Sequence, residues 1–174
     1  MIFRGGPIIH SLLPLLAGLS LILTACETKD PNLAFDKGSI VPDFTLPGLK
    51  GEPVNFRESR RKGKTYLLFW SSSCVSCKEG MSVLEEVYRK SRDGGFSIVA
   101  VNVYQDGETI SRFIADLGLT YPVLLDKSGE VAAAYDVYAV PVAYVIDSDG
   151  ALLDKFMGEM TKENVEAIIK KYWS

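Results

Sequence analysis

The run Thr65-Tyr66-Leu67-Leu68-Phe69-Trp70 constrains this chain more than any other stretch. It has the length of a strand but no alternation of polar and apolar positions, so both of its faces need cover. A strand of that kind sits in the middle of a sheet, between two helical layers. The residues downstream agree with such a plan. Met81, Leu84, Val87 and Tyr88 repeat at helical spacing and stop at Asp93-Gly94-Gly95. Residues 96–103 read as a second apolar strand, and Ile110, Phe113, Ile114 and Leu117 mark a helix that ends at Gly118. A short strand is expected over 122–125, a short helix over 130–135 and a strand over 142–146. The turn Ser148-Asp149-Gly150 leads back into a strand over 152–157, and a last helix carries Val165, Ile168, Ile169 and Tyr172. Upstream, residues 43–46 and 54–56 flank a turn over 47–51 as an N-terminal hairpin. Strands alternating with helices, and a hairpin near the end, predict an α/β three-layer domain around a central mixed sheet.

The first 25 residues have a different character. Arg4 is followed by a largely apolar run that ends in Leu21-Ile22-Leu23-Thr24-Ala25-Cys26, with no acidic residue before Glu27. His10, Pro14, Gly18 and Ser20 interrupt it, leaving fewer clean apolar positions than the roughly 20 of a spanning helix. The segment reads as an export signal. Leu23-Thr24-Ala25-Cys26 resembles the lipobox of bacterial lipoproteins. That resemblance implies cleavage before Cys26, a lipid on its sulfur and attachment to a bacterial membrane, each buried methylene of the lipid adding about 0.8 kcal/mol. The expected organisation is a signal over 1–25, a lipidated polar tether over 26–38 and one domain over 39–174, outside the cytoplasm. Without residues 1–25 the chain keeps 149 residues, enough for one compact core. Arg4 is then lost, and 18 basic residues face 22 acidic ones. A mildly acidic domain makes nucleic acid an unsuitable partner.

The lone histidine, His10, lies inside the signal, so the domain has no imidazole for a metal or a proton relay. No metal and no cofactor are expected. Chemistry falls instead to Cys74-Val75-Ser76-Cys77, two sulfurs separated by two residues at the start of a helix and just after the buried strand. This spacing brings the sulfurs close enough to bond. Free amides at the helix start favour the anion of the first sulfur by up to about 2 kcal/mol, which moves a thiol from about 8.5 toward about 7. Cys74 is the candidate nucleophile and Cys77 the candidate resolving thiol. Lys78, four residues on, is a candidate added cation. A structural staple remains an alternative, although so short a loop constrains little of the unfolded chain.

These residues resemble the thioredoxin superfamily, and within it the ResA/TlpA group of extracytoplasmic thiol-disulfide oxidoreductases. The similarity runs over residues 41–173. It is carried by Val41-Pro42-Asp43-Phe44, by Phe69-Trp70-Ser71-Ser72-Ser73-Cys74-Val75-Ser76-Cys77-Lys78, and by Tyr138-Ala139-Val140-Pro141. Residues 106–137 match the strand and helix that the group inserts into the basic fold. The resemblance implies a thioredoxin-like fold and a cis Val140–Pro141 peptide beside the cysteines, with Val140, Pro141 and Trp70 meeting the substrate. It also implies that the partners are disulfide-containing exported proteins, including apocytochrome cysteines awaiting haem, and a membrane thiol-electron transporter that returns the electrons.

Three positions depart from the group. Ser73 replaces a bulky residue before the first cysteine, which predicts a reduced apolar lip. Gly80 stands where a glutamate often manages protons, and Glu79 beside it is carried as a substitute. Leu68 stands where thioredoxins place an acid in the central strand. Two rival functions remain. A peroxiredoxin-like peroxidase needs a PxxxTxxC arrangement, for which Ser71 fits but Leu67 takes the proline position. A non-catalytic binding module would hold a disulfide that never cycles.

Overall fold

The computed structural model describes residues 1–2 and 35–173. The expected signal, the lipidation position Cys26 and residues 26–34 of the expected tether lie outside the described residues. Among the described residues there are seven strands and five α-helices, in the expected order except that α1 was not expected and takes Phe56 from the second hairpin strand: β1 (Thr45–Pro47), β2 (Pro53–Asn55), α1 (Phe56–Arg60), β3 (Thr65–Trp70), α2 (Val75–Ser91), β4 (Ser97–Val103), α3 (Gly107–Leu117), β5 (Val123–Asp126), α4 (Glu130–Ala134), β6 (Val142–Ile146), β7 (Leu152–Met157) and α5 (Lys162–Trp173). β1 and β2 form the expected antiparallel hairpin. The main sheet has the order β5-β4-β3-β6-β7. β3, β4 and β5 run parallel, whereas β6 and β7 are antiparallel to their neighbours, so the sheet is mixed.

The unbroken apolar run of β3 is explained by its position. Every one of its residues is buried. Tyr66, Leu68 and Trp70 face a core shared with Met81 and Leu84 of α2, Ile110 of α3 and Val165 of α5. Leu67 and Phe69 face the opposite core with Phe56 of α1, Tyr135 and Tyr144. Alternate residues therefore serve opposite layers, as period-2 geometry requires. α3 closes at Gly118, whose positive φ of 61° suits glycine, and whose amide satisfies the carbonyls of Ala115 and Ile114.

The domain starts earlier than the sequence reading placed it. Three of the last four positions assigned to the tether already contact the domain. The Phe35 ring meets the Tyr135 ring edge-on at 5.7 Å, Lys37 pairs with Asp154 at 2.7 Å, and the Gly38 amide donates to the Leu152 carbonyl at 2.8 Å. Polar composition alone suggested a tether, but pairing with the edge strand β7 uses backbone groups that composition does not reveal.

Candidate active site

β3 ends at Trp70, the loop Ser71-Ser72-Ser73 comes next, and Cys74 is the N-cap of α2. Cys74 has an extended backbone, φ −88° and ψ 111°, and its sulfur accepts the Cys77 amide at 3.2 Å. A side chain at this position meets the unpaired amides of the first helical turn, and that turn contains no acidic residue. Both features favour a negatively charged sulfur. Cys74 and Cys77 are joined as a disulfide, with their Cα atoms 5.2 Å apart. The two sulfurs are unequal. Cys74 is half-buried at the surface, whereas Cys77 has 0 % exposure and belongs to the core.

The sheet delivers the opposing residues. β6 pairs antiparallel with β3, Phe69 facing Val142, so the residues just before β6 arrive beside the loop that leaves β3. The Val140–Pro141 peptide is cis, as the resemblance implies. The Val140 carbonyl lies 3.8 Å from Cys74 Sγ, and the Ser76 hydroxyl lies 3.6 Å from the same sulfur. Pro141 is buried and Val140 half-buried.

Other expected site residues fall elsewhere. Trp70 is fully buried and stacks on Phe113 at 5.1 Å, so it supports the loop from below and offers no face to a substrate. Its place at the end of an apolar run made core and rim indistinguishable in sequence. Lys78 is exposed and its side chain forms no hydrogen bond or ion pair among the described residues. Glu79 is also exposed, on an open groove of about 440 Å³ that it lines with Val75, Ser76, Glu159 and Met160.

Gly80 has a packing explanation. A Cβ there would overlap Met160 Cβ and stand 2.8 Å from the Met160 carbonyl oxygen, so no side chain fits between α2 and the residues leading into α5. Nor is the lip near Ser73 bare. Ser73 lines a groove of about 350 Å³ with Tyr104, Tyr138 and Val140, and both tyrosines stand exposed.

The site also contains residues that sequence reasoning missed. Gln105, just beyond β4, accepts the Ser72 amide at 2.7 Å and donates to the Ser72 hydroxyl at 2.7 Å. Asn102 donates to Gln105 Oε1 at 2.8 Å and to the Trp70 carbonyl at 3.4 Å. The signal was a register: Trp70 pairs with Asn102 in parallel strands, which carries Gln105 to the level of Ser73. Among the described residues, no group of three or more His, Cys, Asp or Glu side chains is placed to hold a metal ion.

A mixed sheet whose central strand delivers an N-capping cysteine of a CxxC helix, opposite a cis-proline, defines a thioredoxin-like thiol-disulfide oxidoreductase. Comparison with known proteins makes the assignment narrower. Residues 36–169 match the Redoxin family, and the chain belongs to it. Its relatives include the thiol-disulfide oxidoreductase ResA of Bacillus thuringiensis, 31 % identical over 144 residues, a match spanning 83 % of this chain and 82 % of the relative. ResA of Geobacillus kaustophilus is 36 % identical over 129 residues, 74 % of each chain. Among solved structures, a Chlorobium tepidum protein assigned as thiol:disulfide interchange protein DsbE superposes with a TM-score of 0.73 at 28 % identity. That match covers 79 % of this chain and 96 % of the other.

Proposed function

We propose that this oxidoreductase works as a reductase of disulfides in proteins outside the cytoplasm, with Cys74 as nucleophile and Cys77 as resolving thiol. The observation that carries the reading is the inequality of the two cysteines: Cys74 is half-buried and its sulfur accepts a helix amide, whereas Cys77 is wholly enclosed. In the reduced protein, the Cys74 thiolate attacks one sulfur of a substrate disulfide. A mixed disulfide forms, and the substrate's other sulfur leaves as a thiolate and takes up a proton. Cys77 then loses its proton and attacks Cys74 Sγ, releasing the second substrate thiol. The substrate gains two electrons and two protons, and the pair becomes the Cys74–Cys77 disulfide. A dithiol of a membrane thiol-electron transporter reverses the sequence. Val140 and Pro141 meet the backbone of the substrate segment. Apocytochrome cysteines are one substrate class consistent with the ResA relatives. Residues 1–25 serve as the signal, and a lipid on Cys26 holds the domain at a bacterial membrane, near both partners. With Gly80 and Leu68 in place of acids, protons pass through water, with Glu79 as the carboxylate candidate and Lys78 as the candidate cation.

The test is a Cys77→Ala variant expressed in the protein's own cells. Mixed disulfides between Cys74 and exported proteins should accumulate, and should vanish when Cys74→Ala is added. Absence of such species would remove the reductase reading. Fast, saturable loss of thiols when hydrogen peroxide is added to reduced protein would favour a peroxidase instead. A reduction potential below about −300 mV would favour an inert disulfide.

A further inference from the structure

One side chain holds the loop that presents the nucleophile. Among the described residues, Gln105 is the side chain through which Ser71 and Ser72 are tied to the rest of the domain. The Gln105 Oε1 atom accepts from the Ser72 amide at 2.7 Å and from the Ser71 hydroxyl at 3.1 Å. Its Nε2 group donates to the Ser72 hydroxyl at 2.7 Å. Oε1 is itself fixed from behind by Asn102 Nδ2 at 2.8 Å, on the strand that pairs with β3. Gln105 is half-buried in this position, at the floor of the groove that Ser73, Tyr104 and Tyr138 line.

The bonds have a direction, and it runs toward Cys74. Because the Ser71 hydroxyl spends its single proton on Gln105, it must act as acceptor for its other neighbours. It accepts from the Ser73 hydroxyl at 2.8 Å and from the Ser73 amide at 3.3 Å. The Ser71 carbonyl accepts the Cys74 amide at 3.1 Å, closing a turn on the N-cap residue. Gln105 therefore sets the conformation of the turn from which Cys74 enters α2. The alignment of Cys74 Sγ with the Cys77 amide depends on that turn.

We propose that Gln105 is a positioning residue for Cys74, holding the Ser71–Ser73 loop so that the sulfur stays on the amides of the first helical turn after the disulfide is reduced. A glutamine suits the task because it accepts and donates at once while adding no charge beside a thiolate; a carboxylate offers no donor for Ser72 and would repel the developing anion. This role rests on Cys74 being the working nucleophile.

The experiment measures the pH dependence of iodoacetamide alkylation at Cys74 in the reduced full chain, resolved from Cys26 and Cys77 by peptide mass spectrometry. Three proteins are compared: wild type, Gln105→Ala and Ser71→Ala, the last cutting the branch to Ser73 while leaving the bonds to Ser72. The alkylation midpoint of Gln105→Ala should move upward, and its rate at pH 7 should fall roughly three- to tenfold, a full pKa unit being a factor of about ten in thiolate. Ser71→Ala should move in the same direction by less, and it provides the reading if Gln105→Ala does not fold. Profiles that superimpose on wild type, with or without a lowered melting temperature, would show Gln105 to be structural only and overturn the proposal. A wild-type Cys74 that titrates like an ordinary thiol would instead remove the underlying nucleophile reading, whatever the variants do.

Discussion

Replacing Gly80 with alanine should destabilise this protein, although glycine in the middle of a helix is ordinarily the poorer residue. Position 80 lies in the second turn of α2, where alanine should gain about 1 kcal/mol from helix propensity. Against that gain stands the new methyl group. It would overlap Met160 Cβ and approach the Met160 carbonyl oxygen to 2.8 Å, and neither atom is the free end of a flexible side chain. Met160 is itself buried and leads into α5, so relief requires α2 and that segment to separate. Forcing a methyl group into a filled contact costs about 1–3 kcal/mol, and the absence of any pliable neighbour puts this case at the upper end. The expected net loss is about 1–2 kcal/mol. Urea unfolding of the oxidised proteins, monitored by circular dichroism with equal m-values, would measure it. The melting temperature should fall by several degrees. An alanine variant as stable as wild type, or more stable, would refute the packing argument and reopen this position to a glutamate.

Three further outcomes are expected. Asp154 accepts from Lys37, Lys171 and Tyr172; burial works against its charge, but these partners prevail and lower its carboxyl from 3.8 to about 2. A depressed folded-state value stabilises above the unfolded value and is lost as pH falls, so up to about 2 kcal/mol should disappear between about pH 4 and pH 2, and less in salt because both lysines are more than half exposed. Asp154→Asn should flatten that acid limb in pH-resolved denaturation, and an unchanged limb would count against the cluster. Glu85 is buried, which opposes its charge, yet the Thr120 amide and hydroxyl and the Arg89 guanidinium hold its carboxyl below the usual range. Glu85→Ala should therefore lose about 1–3 kcal/mol by calorimetry, because the charge-assisted bonds from Thr120 and Arg89 to this buried carboxylate are removed. Glu79 is exposed, so Glu79→Gln should leave the pH profile of disulfide reduction within about twofold of wild type; a displaced profile would make it the proton carrier.

Much of this fold was legible because the relevant signals are local. The unbroken run in β3 required cover on both faces, the helical spacing of Met81 and Leu84 gave α2, and the CxxC at their junction located the site. The features that escaped depend on contacts between distant segments. Trp70 looked like a substrate-facing residue because a strand end beside a reactive loop can be rim or core; Phe113, 43 positions later, decides the matter by covering it. Gln105 carried no motif, and its role emerges only when β3 and β4 are set in parallel register. The absence of an acid at position 80 was visible, but its cause, the approach of Met160, was not. Residues 35–38 looked like linker because their partners, Tyr135, Asp154 and the edge of β7, lie far along the chain.

The enclosure of Cys77 carries a kinetic consequence. With a single sulfur open to approach, whatever delivers electrons and whatever receives them must occupy one doorway in turn, and no ternary complex can assemble. Turnover should keep a ping-pong rhythm, giving parallel lines in double-reciprocal plots, and an excess of either protein should inhibit by keeping the other out.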